Sequence, residues 1–410
     1  MTSVWITGIG VISPLGATSA ENWERLIAGH SGVGPVKRFD ASRFSCRLAA
    51  EVVDGEWGVS EVPYAHELKR MDRFVQYALA AASHAFADSG ILSDGACPPD
   101  GGVFIGVGTG GLPHLEAGVI LQETRGPRRV SPYFIPSLIS NMAASMIALN
   151  YRFRGPQYTL AGACASGNQA LGQAMRAIRS GELRWALAGG TEAAITPIGF
   201  SGLQAMHALS NTPDACHTPR PFDQDCDGMI VGEGAAVFVL EERGHAEARG
   251  AAVRAELSGY ATCSGGMQIT LPAAEDMTRC MELALRDAKL EAADIDCVYA
   301  QAAGMVKGDE CELQALQQVF ETARPAVTSI KGHIGHTFAA SGPLSVMASI
   351  ETLRTQKIPP TLHVETVAPQ YSETDIVREP RARDVRHCLI NSFGFGGVNA
   401  SLVVSHGGPQ

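Results

Sequence analysis

Short apolar runs alternate with helical stripes along almost the whole chain, and this alternation restricts the fold more than any single motif. Val103-Phe104-Ile105-Gly106-Val107, Trp185-Ala186-Leu187-Ala188 and Ala236-Val237-Phe238-Val239-Leu240 each read as a buried strand. Val253 to Leu257, Cys297 to Ala300, Leu389 to Ser392 and about Val398 to Val404 repeat the pattern further on. Between them, Met71, Phe74, Val75, Ala78, Leu79, Ala82 and Phe86 fall on one helical face, and Gly90 suits the stop. Leu171, Ala174, Met175 and Ile178 form a second stripe, stopped at Gly181, and Leu313, Leu316, Val319 and Phe320 a third. Strands alternating with helices imply an α/β fold. The stripes themselves read as core packing.

The chain has 410 residues, 45% of them hydrophobic, enough for a large core and two or three domain-sized units. No low-complexity linker divides it. The nearest candidates are Ser93 to Gly102 and Glu241 to Gly250, and the second has α/β patterning on both sides without a sequence repeat across it. A net charge of −10 argues against a nucleic-acid binder. Ten cysteines without a C-x-x-C pair imply free thiols in a reducing compartment and no structural metal site. No segment approaches the ~18 apolar residues of a membrane span. Val4 to Val11 is apolar but lacks a basic lead and is broken by glycines and Pro14, so it reads as a strand and turn rather than a signal. The expectation is a cytoplasmic protein.

Three segments carry chemistry. Ala161-Gly162-Ala163-Cys164-Ala165-Ser166-Gly167 lies between a strand and a helix, with small neighbours that permit a tight turn. A helix N-terminus lowers a thiol's pKa, so Cys164 is expected to be activated there. Ser329 to His336 holds Lys331, His333 and His336 in one short loop. Asn391-Ser392-Phe393-Gly394-Phe395-Gly396-Gly397 reads as a glycine-rich turn between the last two strands.

Together these segments resemble the β-ketoacyl-acyl-carrier-protein synthases, thiolase-fold condensing enzymes of fatty acid and polyketide synthesis. The resemblance spans nearly the whole chain. Thr7-Gly8-Ile9-Gly10 with Ser13-Pro14-Leu15-Gly16 matches the family start, and Arg220-Pro221-Phe222-Asp223, Asp227-Gly228 and Gly232-Glu233-Gly234 match its middle. It implies two βαβαβαββ-type thiolase-like halves packed as a layered α-β-α-β-α body. The first half, 1–250, carries Cys164; the second, 251–410, carries Lys331, His336 and the gate. It implies Cys164 as nucleophile, Lys331 as organiser of a polar network and His336 as stabiliser of the charge formed on malonyl decarboxylation. The backbone N–H groups of Cys164 and Phe395 become the oxyanion donors, and Phe393, Gly394, Phe395, Gly396 and Gly397 the gate. No bound cofactor is implied, because substrates ride on the phosphopantetheine of acyl carrier protein.

The family also needs a second histidine, in an Asn-Ala-His-Gly-Thr-x-Thr run followed by an acidic pair. Here the run reads Gln301-Ala302-Ala303-Gly304-Met305, so Ala303 stands for the histidine and Met305 for the first threonine. Asp309 and Glu312 match the acidic positions, reached about two residues early. Phe338-Ala339-Ala340-Ser341-Gly342 also replaces a more glycine-rich run. The shortened segment is similar to that of the chain-length factor, the ketosynthase-beta subunit of type II polyketide synthases. Most of those lack the cysteine, so the resemblance implies a less typical branch, such as those of polyene-making systems. The expected role is then a heterodimer partner of an active ketosynthase-alpha subunit that shapes the acyl tunnel. The alternatives are an active synthase, as a homodimer, and a protein that performs acyl transfer alone. Phe134, Ile135 and Leu138 lie where the family places tunnel and dimer contacts, with Gly108 to Leu112 a further candidate. Lys69, Arg70 and Arg73, or Arg125, Arg128 and Arg129, are candidate basic patches for an acidic carrier protein.

Overall fold

The computed structural model describes residues 2–55, 57, 65–92, 97–265 and 269–407. Ten strands form its main sheet; numbered along the chain they are β1 (Val4–Ile12), β2 (Gly101–Val107), β3 (Gln157–Leu160), β4 (Trp185–Glu192), β5 (Gly234–Glu242), β6 (Ala255–Ser264), β7 (Cys297–Tyr299), β8 (Ala326–Thr328), β9 (His387–Gly394) and β10 (Val398–Ser405). The apolar runs read from sequence fall on these strands, except that β6 opens at Ala255, after Val253 and Arg254, and β7 closes at Tyr299, before Ala300. Of the linker candidates, residues 93–96 lie outside the described residues, while Gly101 and Gly102 already belong to β2 and Glu241 and Glu242 end β5.

The strand order across the sheet is β8-β7-β9-β10-β6-β1-β5-β4-β2-β3. This is one five-stranded order used twice: β3-β2-4-5-1 in the first half corresponds to β8-β7-9-10-6 in the second. The directions repeat too. β4–β2–β3 are parallel and β5 is antiparallel to both β4 and β1. Likewise β9–β7–β8 are parallel and β10 is antiparallel to both β9 and β6. The two five-stranded units meet edge to edge only at Trp5–Glu256 and Ile6–Ala255. They diverge from that seam and clamp helices between them.

Those central helices are Ser166–Arg179 and Ser341–Thr355. The apolar cluster around them joins Leu171, Ala174, Met175, Leu344, Met347 and Ile350 to strand residues of both units. Ser341–Thr355 is buried on every side through Leu353, which explains its small, serine-rich sequence. Helix Arg73–Ser89 covers the outer face of the first unit, with Phe74, Val75, Ala78 and Phe86 in its own cluster. Helices Ala274–Ala288 and Val306–Phe320 cover the outer face of the second. Arg73–Ser89 starts at the N-cap Asp72 and stops at Gly90, whose φ of 62° is easy only for a residue without Cβ.

Close approach of backbones brings the catalytic-looking loops together. A Cβ on Gly167 would lie 2.3 Å from the Ala339 carbonyl oxygen, and one on Gly190 would lie 2.2 Å from the same atom. Glycine at both positions therefore lets the start of helix Ser166–Arg179 and strand β4 touch the turn before helix Ser341–Thr355.

Candidate active site

Cys164 lies in a 3-10 turn, Ala163–Ala165, that runs directly into helix Ser166–Arg179 at the end of β3. Ala163 has φ +48°, a left-handed backbone that turns the chain sharply enough to present the thiol. Ser166 braces this turn: its Oγ accepts from the Gly162 N–H at 2.8 Å and donates to the Ala163 carbonyl at 2.6 Å. The thiol is buried. Burial, with the Glu192 carboxylate nearby, pushes it up to about 12, against the lowering pull of Lys331 and of the Cys164 and Phe395 N–H groups. This corrects the expectation of an activated thiol. The helix begins two residues after the sulfur, and desolvation outweighs its field.

His336 stands over the sulfur, with Nε2 3.1 Å from Sγ. Burial, with Lys331 adding to it, holds the ring down to about 3, so it is neutral at physiological pH. Its Nδ1 lies 2.9 Å from Ser341 Oγ, and the Phe338 ring packs against it. His333 faces elsewhere: its ring bonds the carbonyls of His30 and Pro360. Lys331 is fully buried, donates to the Ala300 carbonyl at 3.3 Å and is held down to about 8 by burial, with Glu312 opposing.

Asp309 and Glu312 hold the segment that lacks the histidine. Glu312 accepts the N–H groups of Gln301 (3.0 Å) and Ala302 (2.8 Å) and the Asn391 side chain (3.1 Å). Asp309 accepts those of Ala303 (3.1 Å), Gly304 (3.0 Å), Met305 (3.2 Å) and Phe222 (2.9 Å). Burial pushes Glu312 up and Asp309 up to about 7. With its backbone fixed this way, Ala303 faces an apolar cluster with Cys164, Met229, Met305 and Phe338. The space beside the thiol is lined by methyl groups and thioethers where a second imidazole would donate.

The turn Phe395–Gly397 connects β9 to β10 above the sulfur. A Cβ on Gly394 would lie 3.0 Å from the Cys164 nitrogen, so glycine lets the strand end lie close against the nucleophile turn. A single cleft opens onto Cys164, His336, Ala303 and Phe395, with Ile269, Leu271 and Met305 on its wall. Phe134, Ile135 and Leu138 do not line it; they lie on the short helix Phe134–Leu138, where Phe134 packs on Gly118 and Ile135 is 58% exposed.

Sequence reading missed Glu192 and Ser341. Glu192, fully buried at the end of β4, accepts from Gly108, Thr109 and the Ala339 N–H and is pushed up to about 7 by burial. An acid closing an otherwise apolar strand was its signal. For Ser341 the signal was a hydroxyl five residues after a histidine. Gly108, from the other tunnel candidate, is thus part of the Glu192 cradle. Among the described residues no group of three or more His, Cys, Asp or Glu is placed to hold a metal ion, and no helix is long and apolar enough to cross a membrane. All ten cysteines are free thiols.

With this geometry in place, comparison with known proteins decides the family. Residues 1–246 match the Beta-ketoacyl synthase, N-terminal domain, and residues 254–365 the Beta-ketoacyl synthase, C-terminal domain. The chain belongs to the β-ketoacyl synthase family. It is 38% identical over 407 residues to 3-oxoacyl-[acyl-carrier-protein] synthase 2 of Coxiella burnetii, covering 98% of each chain. Among solved structures it resembles the ishigamide ketosynthase/chain length factor, with a TM-score of 0.93, 33% identity, and 99% and 100% of the two chains covered. A type II PKS acyl-carrier protein in complex with its ketosynthase, bound to the hexaketide, gives a TM-score of 0.89 at 27% identity, with 99% of each chain covered. The fold is therefore that of the thiolase-fold ketosynthases.

Proposed function

We propose that this β-ketoacyl synthase family chain takes an acyl group from acyl carrier protein onto Cys164 and condenses it with malonyl-carrier protein using one imidazole instead of two. The observation that carries this reading is the sulfur's surroundings. His336 Nε2 lies 3.1 Å away, and the Cys164 and Phe395 N–H groups turn toward the same atom. In the first step the sulfur attacks the thioester carbonyl, the bond to the phosphopantetheine sulfur breaks, and that thiol leaves with the proton given up by Cys164. The two N–H groups stabilise the transient oxyanion, a contribution of about 3 kcal/mol per donor. In the second step malonyl loses CO2, and the electron pair left behind attacks the acyl carbonyl. The Cys164–acyl bond then breaks, giving a 3-oxoacyl thioester and the Cys164 thiolate, which takes a proton from solvent to restore the thiol. His336 donates to the charge that develops on the malonyl thioester oxygen. Lys331 keeps positive charge beside the sulfur. Ala303 removes the other donor, a loss worth ~10²–10³ in rate. No metal or other bound cofactor is needed.

A second reading is favoured by Ala303 itself: a chain-length-factor-like subunit that pairs with an intact synthase and is acylated without condensing, or performs acyl transfer only. Pairing in either reading uses the flank of the first half, which we treat as residues 1–250 against 251–410. There β3 is the sheet edge, Tyr158 on it is 50% exposed, and Leu115, Val119 and Ile120 of helix Leu112–Arg125 stand exposed near Ile135. The deciding experiment incubates the purified chain with acyl- and malonyl-carrier protein and follows Cys164 acylation and carbon–carbon bond formation by mass spectrometry. Condensation by the chain alone is the expected result. Condensation only after an intact synthase is added establishes the second reading and overturns the first.

A further inference from the structure

With Ala303 in place of an imidazole, the reaction rests on which nitrogen of His336 carries the proton. A ring with the proton on Nε2 is a donor toward the sulfur and the oxyanion; one with the proton on Nδ1 offers only a lone pair there. Hydrogen positions follow from the surrounding network. Here that network is short and closed. Ser341 Oγ accepts the Thr337 N–H at 3.0 Å, lies 3.1 Å from Thr337 Oγ1 and 2.9 Å from His336 Nδ1. All three residues are buried, with Thr337 and Ser341 fully so. Among the described residues, Ser341 Oγ is the one acceptor within reach of the Thr337 hydroxyl proton.

Two arrangements satisfy the distances. If Nδ1 carries the proton, it donates to Ser341, whose own proton must go to Thr337 Oγ1, and the Thr337 proton is buried with nowhere to go. If Thr337 donates to Ser341 and Ser341 donates to Nδ1, both hydroxyl protons have acceptors and the ring proton sits on Nε2 facing the Cys164 sulfur; the proton then left without the ring's lone pair is that of the thiol, a weak donor that loses little by it. An orphaned buried hydroxyl costs about 1–3 kcal/mol, so the second arrangement prevails.

We infer that Ser341, backed by Thr337, is a positioning residue that fixes His336 as a donor through Nε2. The bearing of this on condensation rests on the single-imidazole reading above. The tautomer itself does not depend on that reading. The test is NMR of the full chain labelled with 15N-histidine, the His336 ring being assigned by its loss in His336→Asn. The expected spectrum of the unmodified protein has the proton on Nε2. Ser341→Ala should mix the two tautomers and slow carbon–carbon bond formation at least tenfold, while Ser341→Thr should keep both tautomer and rate. Ser349→Ala removes another buried hydroxyl of the same helix, one that donates to the Val346 carbonyl, and should leave the His336 ring signals as they are, which separates positioning from simple bracing of the helix. A proton on Nδ1 in the unmodified protein overturns the inference even if Ser341→Ala does not fold. So does an unmixed Nε2–H ring in a folded Ser341→Ala. Absence of condensation by the unmodified chain, with Nε2 protonated, counts against the proposed function and leaves the role of Ser341 standing.

Discussion

The two halves of this molecule use the same backbone device after their third strand and spend it differently. After β3 the chain enters the turn Ala163–Ala165 and then helix Ser166–Arg179; after β8 and the Lys331–His336 loop it enters Phe338–Ala340 and then helix Ser341–Thr355. Ala163 and Phe338 have φ of +48° and +44°. In each turn the N–H of the residue four before the helix serine donates to its hydroxyl, Gly162 to Ser166 and Thr337 to Ser341. The serine protons then part company. Ser166 returns its proton to the Ala163 carbonyl, closing the turn on itself, while Ser341 faces His336 Nδ1. One turn carries the nucleophile, Cys164, and places alanine, Ala339, at the matching point of the other. The lesson is that a duplicated frame supplies two aimed positions, and the site is made by filling them unequally.

Removing the nucleophile breaks this comparison most completely. Cys164→Ser should abolish the acyl adduct seen by mass spectrometry while the protein stays folded, because a hydroxyl in that burial is a far poorer nucleophile. An adduct persisting on the variant would move the acyl site elsewhere. Next in size is the missing donor of the second half. Ala303→His should raise the rate of carbon–carbon bond formation by on the order of 10². No gain would mean that the loop held by Asp309 and Glu312 aims the new ring away from the sulfur.

Packing between the halves is tested by Gly167→Ala. Its Cβ meets the Ala339 carbonyl at 2.3 Å, a backbone atom that cannot swing aside. A loss of about 1–3 kcal/mol in urea unfolding is expected, as for overpacked cores. An unchanged midpoint would show that the two turns have room to part. The smallest effect is a slope. With the thiol pushed up to about 12, carbamidomethylation of Cys164 should accelerate with every unit of pH from 7 to 10 and show no plateau. A plateau near pH 8 would reveal a thiolate stabilised more strongly than its burial allows. The sign follows because a raised thiol pKa leaves the neutral form dominant throughout that window.

Much of the frame was legible in the residues. Buried strands announced themselves as apolar runs, and the helices by stripes with caps such as Asp72 and Gly90. The two halves were expected only through the family resemblance, because they share strand order and turns without sharing a sequence pattern that periodicity can detect. Cys164, Lys331, His336, Phe395, Asp309 and Glu312 were readable by motif, and the fold brings all six to one cleft or its immediate support. The thiol's surroundings were not, since the helix field is local and visible in sequence, whereas the burial by residues such as Ala303 and Phe338, and the Glu192 charge that adds to it, come from far away along the chain. Phe134, Ile135 and Leu138 came from the family's placement of tunnel and dimer contacts; they lie off the cleft, on a flank where Ile135 is exposed.

By itself the sequence determined an alternation of strands and helices that builds an α/β frame and a cysteine at a strand–helix turn, properties of residue type and spacing that exist before folding. The ketosynthase resemblance its motifs carry added that Ala303 stands where a second histidine is implied. Only the tertiary structure decided that burial pushes the thiol up, that Asp309 and Glu312 lock the histidine-free loop, and that the Ser341 hydroxyl meets His336 Nδ1. Each of these depends on distances between groups remote in sequence and on the exclusion of water around them, and neither quantity exists until the two halves have closed on each other.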